Sequence, residues 1–367
     1  MLTLTPRPDE QGGGLQGPLA RHRGERHIAV IQDFPDPDAL SSAFAHRLVS
    51  AEFDIAVDIV YGRRISHQQN IALVKLLGIP LVAYTDDLDL SVYDGSVFID
   101  SQGDTSIVAP KVLASGLPVI AVIDHHEKQE TAPAAEFVDI RRAGATATIY
   151  TQYIQSGLLT MDRSRREHVV AATALMHGIM TDTNRFIQAS EEDFSAAAFL
   201  SRFYDAGVLL GIMMQARSKQ AMDIIRLSLE NRLIRENYSI AGIGYVRAEE
   251  RDAIPQAADF LLTEENVHTA IVYGIVTSDH GGHRTESVIG SLRTTKLTVD
   301  PDAFIKETFG RSETGQFFGG GKAEAGGFEI PLGFLAGGQR DDYQALKWQV
   351  YDTQIKQRLF AKIGIKE

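Results

Sequence analysis

Residues 27–39, HIAVIQDFPDPDA, decide how this chain is read. The apolar run 27–31 ends in polar residues, the signature of a strand buried on both faces. Pro35 and Asp36 break it, and Asp38 stands where a helix begins, ahead of the periodic stretch ALSSAFAHRLVSA (39–51). Carboxylates at that position are favoured by the exposed N–H groups of a helix N-terminus. The strand–turn–helix unit then recurs. FDIAVDIVYG (53–62), PLVAYT (80–85), SVFID (96–100) and LPVIAVID (117–124) read as strands, with helices at 66–78, ended by Gly78, and near 109–116. Strands alternating with helices predict a doubly wound, mainly parallel α/β sheet.

Further along, GATATIYTQYIQSG (144–157) and residues 165–179 read as helices covering that sheet. The pattern stays helical from about 190 to 237, and then strands return at 238–247, 266–276 and 287–297, followed by the glycine-rich run 315–335. The expected organisation is a flexible leader (1–26), a catalytic α/β domain (27–210), a helical linker (211–236), a smaller α/β domain (237–340) and a tail helix (341–367). The helical stripe of Tyr343, Leu346, Val350, Ile355 and Leu359 predicts packing on its own domain or on a dimer mate.

The bulk properties narrow the function. A chain of 367 residues, 44% hydrophobic and 23% charged, is ordinary globular protein and long enough for two cores. It has no Cys, which excludes disulfides, thiolate metal ligands and a Cys nucleophile. No apolar run approaches the ~18 residues of a membrane span, and a cytoplasmic protein is expected. The net charge of −12 disfavours tracking of long nucleic acid, whose affinity rests on basic grooves.

The residues that carry chemistry sit at or just past the ends of apolar runs: Asp36, Asp38, Asp100, His125, His126 and Asp182. In an open α/β sheet the loops beyond the carboxyl ends of the strands are where sites form. A D-x-D pair at a strand-to-helix turn can address two neighbouring metal ions, with Asp100 bridging them, His125 adding an imidazole and Asp182, in the loop of GIMTDTN, closing the set. Oxygen-rich ligation with one imidazole suits Mn²⁺ or Mg²⁺. Thr146 and Thr148 read as caps of their helix.

The segments PDPDA, FIDSQG, DHH, GATATI, MTDTNRF, SLR and GGGKAEAGG, in this order over roughly residues 27–340, resemble the DHH phosphoesterase superfamily with its DHH-associated C-terminal domain. They are most similar to its nanoRNase and pAp-phosphatase branch. The resemblance implies two divalent metal ions, Mn²⁺ ahead of Mg²⁺, one held by Asp36 and Asp100 and the other by Asp38, Asp100, His125 and Asp182. It makes His126 a residue that contacts the scissile phosphate, with Asp124 behind the ligands to orient them, and a metal-activated hydroxide the attacking group. From the second domain, across a cleft, it implies Arg293 and Ser291 of SLR, the amides of Gly319, Gly320 and Gly321, and Lys322 as contacts to a nucleotide; Arg185 could also reach a phosphate.

Two positions depart from the pattern. Gln32 stands where a histidine ligand of the first metal is usual, and Lys322 where a histidine follows the glycines. The implied activity is hydrolysis of short oligonucleotides or linear dinucleotides such as pApA or pGpG to mononucleotides. The alternatives are a pAp 3′-phosphomonoesterase, a cyclic-dinucleotide phosphodiesterase or, through Gln32 and Lys322, a nucleotide-binding sensor of weak or no activity. A homodimer is possible; long nucleic acid and membrane are not expected as partners.

Overall fold

The structure is a computed structural model that describes residues 14–65, 68–215, 217–280, 283–322, 324–337 and 340–365. It divides into two compact units, Met1–Ala216 and Arg217–Glu367.

In the first unit, strands β1 (Arg26–Val30), β2 (Ala56–Tyr61), β3 (Val82–Ala83), β4 (Gly95–Ile99), β5 (Val119–Asp124) and β6 (Phe137–Ile140) form one sheet in the order β3-β2-β1-β4-β5-β6. Every pairing is parallel, as the alternation of strands and helices predicts. Strand residues alternate between two cores. Ala29, Ile31, Val97, Ile99, Ala121 and Ile123 face one, and Ile28, Val30, Phe98 and Val122 face the other. Burial on both faces is what makes these strands continuous apolar runs. The strand order reverses between β1 and β4, and the segments that follow these two strands diverge there. That opening is where such a sheet binds ligands.

Helices α1 (Gln16–Arg21), α2 (Pro37–Ala51), α3 (Gln68–Leu77), α4 (Ala109–Ala114), α5 (Thr146–Tyr153), α6 (Arg166–Asp182), α7 (Glu191–Leu200) and α8 (Ala206–Met213) complete the unit. The stretch 16–21, expected to belong to a flexible leader, is helical, because Leu15 and Leu19 are buried in the main core. Asp36 caps α2 by accepting from the Ala39 amide at 2.9 Å, and Pro37 occupies the first turn, where a missing N–H costs nothing. Small residues along α2 let α6 approach closely. A Cβ on Gly178 of α6 would stand 2.5 Å from Ser41 Oγ and 3.2 Å from Asp38 Cα. Asp182 lies one turn beyond Gly178, on the same helix face.

The second unit begins with α9 (Lys219–Asn231) and continues through β7 (Leu233–Arg235), β8 (Tyr238–Arg247), α10 (Ala253–Leu261), β9 (Thr269–His280), β10 (His283–Thr294), α11 (Pro301–Phe309), β11 (Gly319–Lys322), β12 (Ala325–Pro331) and α12 (Asp341–Ile363). Its mixed sheet runs β11-β12-β10-β9-β8-β7, with β8 and β9 parallel and the other pairs antiparallel. Helices α9 and α10 contribute to the core on one face of this sheet, α11 and α12 to the core on the other. Ala221, Ile224 and Ile225 of α9, in the stretch read as a linker, belong to this unit's core. The stripe on α12 splits: Ile355 and Leu359 are buried, while Tyr343, Leu346 and Val350 are exposed. Among the described residues no helix is long and apolar enough to cross a membrane.

A buried ion pair helps to fix α12 on the sheet, beside the bond from Tyr273 of β9 to Asp352 at 2.7 Å. Lys347 and Glu286 of β10 are both buried and pair at 2.5 Å, and the ammonium also donates to the carbonyls of Leu335 (3.0 Å) and Gly337 (2.8 Å). Removing one partner strands the other charge in the core, at a cost of about 3–5 kcal/mol. Glu286→Ala should therefore lower the unfolding free energy in urea by that amount. The double substitution Glu286→Leu with Lys347→Met should lose much less.

Candidate metal centre

The carboxyl ends of β1, β4 and β5 and the last turn of α6 bring together Gln32, Asp36, Asp38, Asp100, Asp124, His125, His126 and Asp182. Asp38 is fully buried. Its Oδ2 accepts from the Thr146 amide at 2.6 Å and its Oδ1 from the Ala147 amide at 2.7 Å. These are the first amides of α5, whose own N-cap, Ala145, has no side-chain acceptor to offer. Asp38 thus caps α5 from another element. Burial raises its pKa to about 6, against the opposing pull of His125 and the two amides.

Asp100 follows β4 in a left-handed backbone conformation, φ 53°, unusual for a residue with a side chain. Its Oδ1 accepts from Thr146 Oγ1 at 2.8 Å and its Oδ2 from Gln32 Nε2 at 3.1 Å. Burial pushes the Asp100 carboxyl well above the usual range, and the charges of Asp38, Asp36, Asp182 and Asp124 push it further. Asp182 is the last residue of α6 rather than a loop residue. A carboxylate at the negative end of a helix dipole is unfavourable on its own.

His125 stands among these acids. Its Nδ1 is 3.2 Å from the Ala143 carbonyl, which calls for a proton on that nitrogen and leaves Nε2 with a lone pair. Nε2 is buried without a hydrogen-bond partner, 3.8 Å from Asp38 Oδ2, 3.7 Å from Asp100 Oδ1 and 3.4 Å from Asp182 Oδ2. These separations are long for hydrogen bonds and suit donors arranged around one cation, at about 2.0–2.2 Å from each. Two overlapping groups have their donor atoms within 4.8 Å of one another: Asp38, His125 and Asp182, and Asp100, His125 and His126. The residues present fit a divalent metal ion here.

The contrast with His22, Glu25 and His27, a third group of potential ligands, is instructive. There Glu25 Oε2 lies 2.8 Å from His22 Nδ1 and 2.9 Å from His27 Nε2, and His22 Nε2 is 2.9 Å from Glu136. Those are satisfied hydrogen bonds that pin the start of β1.

Several expected roles change. Asp124 contacts His126 and not His125. Its Oδ1 is 2.8 Å from His126 Nδ1 and accepts from the His126 amide at 3.1 Å. Gln102 is buried and donates to Asp124 Oδ2 at 2.8 Å and to the Glu127 carbonyl at 3.1 Å, while its carbonyl accepts from the Gln129 amide at 2.7 Å. Burial pushes the Asp124 carboxyl up, but the bonds from His126 and Gln102 hold it below its ordinary value. Nothing in the sequence reading gave Gln102 a role; its signal is only its place in FIDSQG, two residues after Asp100. Thr146 and Thr148 do not cap α5 through their side chains: Thr146 donates to Asp100, and Thr148 to the buried Asp193 at 2.6 Å. Arg185 is exposed in a turn whose residues Asn184, Arg185 and Phe186 are all left-handed.

The remaining candidates belong to the second unit. The Arg293 guanidinium donates through Nε to Asp259 at 2.7 Å and through Nη1 to Ser291 Oγ at 2.8 Å. Ser291 Oγ therefore supports Arg293 as an acceptor in this arrangement. The glycine run is an edge strand. The Gly321 amide, expected to approach a nucleotide, is already donated to Asp302 at 3.0 Å. Close packing accounts for these glycines. A Cβ would lie 2.2 Å from the Gly327 carbonyl at Gly319, 2.6 Å from Asp302 at Gly320 and 2.7 Å from the Ala325 carbonyl at Gly321. Lys322 is exposed at the end of this strand.

No protein-family model matches the chain. It is 34% identical over 337 residues to an uncharacterized protein of Methanocaldococcus jannaschii, an alignment covering 91% of this chain but only 63% of that relative's length. Among solved structures it is similar to an exopolyphosphatase-related protein from Bacteroides fragilis, with a TM-score of 0.65 and 16% identity over 94% of this chain and 95% of that one. A weaker likeness, with a TM-score of 0.49 and 13% identity, is to RecJ from Thermus thermophilus in complex with Mn²⁺, covering 98% of this chain and 56% of that one. At such identity a likeness speaks for the fold alone. In fold, with its parallel sheet of order 3-2-1-4-5-6 and a second, mixed sheet, the chain is similar to that exopolyphosphatase-related protein.

Proposed function

We propose that this chain is a metal-dependent phosphoesterase of the nanoRNase and pAp-phosphatase type, hydrolysing short oligonucleotides or linear dinucleotides to mononucleotides. The observation that carries the reading is the buried, unpartnered Nε2 of His125 among the carboxylates of Asp38, Asp100 and Asp182. A cation held by those four residues would offset the crowded negative charge, polarise a phosphoryl oxygen and lower the pKa of water. The oxygen-rich donor set favours Mn²⁺ or Mg²⁺.

The chain's own side chains do the rest. Asp124 holds the Nδ1 proton of His126 and so presents the other ring nitrogen for contact with a phosphate or for proton transfer, in the manner of a carboxylate that fixes a histidine tautomer. The planar fork of Arg185 suits a phosphate oxygen pair. Arg293, pre-set by Ser291 and Asp259, suits a terminal phosphate. The net charge of −12 favours a short substrate over a long strand.

The direct test is incubation with Mn²⁺ and 5′-phosphorylated di- to pentanucleotides, with pAp, cyclic dinucleotides and pyrophosphate as comparison substrates. Turnover of the short oligonucleotides is expected, and an Asp182→Ala control should lose it. Absence of turnover above that control would end the proposal; tight dinucleotide binding without turnover would indicate a sensor instead. Asp124→Asn should lower kcat by about 10²–10⁴-fold, the range of a displaced acid–base group.

Metal binding should depend on pH in a defined direction. Asp38 and Asp100 have raised pKa values in the metal-free fold, so between the unfolded value of 3.8 and the folded values the native state holds more protons than the unfolded chain. Their contribution to metal-free stability is therefore greatest at low pH and is lost as pH rises through the folded values. A cation needs the ionised forms and must displace those protons. At pH 7.5, Mn²⁺ at about a hundred times its Kd should add about 2.7 kcal/mol, roughly 5–10 °C in Tm. At pH 5, below the Asp38 value of about 6, most of that shift should vanish in differential scanning calorimetry.

A further inference from the structure

Gln32 lies two residues past β1 with its side chain half buried beside Asp36 and Asp100. Its amide nitrogen is 3.2 Å from Asp36 Oδ2 and 3.1 Å from Asp100 Oδ2. An atom placed that near two carboxylate oxygens has to be the NH₂ group, because the amide oxygen would meet like partial charge from both. Both of its N–H bonds are committed there. The outer oxygens are also satisfied, Asp36 Oδ1 by the Ala39 amide and Asp100 Oδ1 by Thr146 Oγ1. Every acceptor between and around this pair thus has a neutral donor. The pocket around His125 differs: its Nε2 is buried without a hydrogen-bond partner and faces Asp182 Oδ2 at 3.4 Å, Asp100 Oδ1 at 3.7 Å and Asp38 Oδ2 at 3.8 Å. The two halves of the acidic centre are built for different occupants.

We infer that the Gln32 amide fills the bridging position between Asp36 and Asp100, so that this chain holds one divalent ion, on Asp38, Asp100, His125 and Asp182, with Asp36 outside the coordination shell. The inference rests on the metal reading proposed above and sets its stoichiometry at one ion, where the sequence resemblance implies two. A cation shared by Asp36 and Asp100 would need the ground that Gln32 Nε2 occupies, and the amide would have to leave or turn its oxygen inward. With one cation in place of a pair, more of a phosphate's charge falls to side-chain donors.

The test counts ions without reference to activity. Chelator-treated full-length protein is titrated with Mn²⁺ by isothermal calorimetry at pH 8, and the loaded protein is examined by electron paramagnetic resonance. One Mn²⁺ per chain with the spectrum of an isolated ion is expected. Asp36→Asn, which keeps a capping side chain on α2, should bind one ion with affinity within about threefold of the parent, whereas Asp182→Ala should weaken it at least 30-fold. Gln32→Glu, isosteric but without the donor, should bind a second ion and show spin coupling. Circular dichroism checks that each variant is folded. Two ions on the parent chain, loss of the ion in Asp36→Asn, or a Gln32→Glu chain that still takes only one would overturn the inference while leaving the metal reading intact. No ion on the parent chain would overturn both.

Discussion

Crowding of carboxylates where the strand order reverses is the constraint on which the first unit depends. Asp36, Asp38, Asp100 and Asp182 meet beyond β1 and β4, and Asp38 and Asp100 are withdrawn from water. Buried like charges are tolerated only if each is hydrogen-bonded or neutralised. The fold meets this demand with backbone and neutral side chains. Two amides of α5 serve Asp38, the Ala39 amide serves Asp36, and Thr146 and Gln32 serve Asp100. The same bonds tie α5 to α2 and β4, so the supports of the acids are also the joints of the scaffold. What they leave without a hydrogen-bond partner is His125 Nε2.

Much of this arrangement is legible in the sequence, for a physical reason. A parallel strand buried on both faces must be an apolar run, and its first polar residues fall where the sheet binds ligands. That logic places Asp38, Asp100 and His125 at one end of a sheet from pattern alone. It places Asp182 only roughly, because that residue comes from the end of α6, and its approach depends on Gly178 packing against Ser41, which no periodicity encodes.

Direction of hydrogen bonding is harder still to read. Gln32 looks like a weaker ligand by residue type, and only its contacts reveal a donor between two acids. Asp124 looks like the partner of the adjacent His125, yet the chain turns so that His126 takes it. The glycines 319–321 look like a ligand loop, yet they are the thin edge of a sheet under α11. In each case composition names the chemistry available, and tertiary packing chooses how it is used.

Backbone strain gathers around the same end of the first unit. Asp100 is left-handed directly after β4, and Asn184, Arg185 and Phe186 are left-handed directly after α6. Conformations of this kind cost on the order of 1–3 kcal/mol each and persist only where the surroundings hold them. At Asp100 the holders are Thr146 and Gln32. At the turn they are the Arg185 amide on the Met180 carbonyl at 2.6 Å and the Gln188 amide on the Thr183 carbonyl at 2.9 Å. Both strained segments carry polar side chains, the first the acid Asp100 and the second an exposed arginine, Arg185, shortly after Asp182 in sequence. A cation at His125 would attract Asp38, Asp100 and Asp182 together, and so oppose their mutual charge repulsion. Binding free energy at this point would therefore act as folding free energy for the first unit, which couples the order of α5 and α6 to occupancy of the centre.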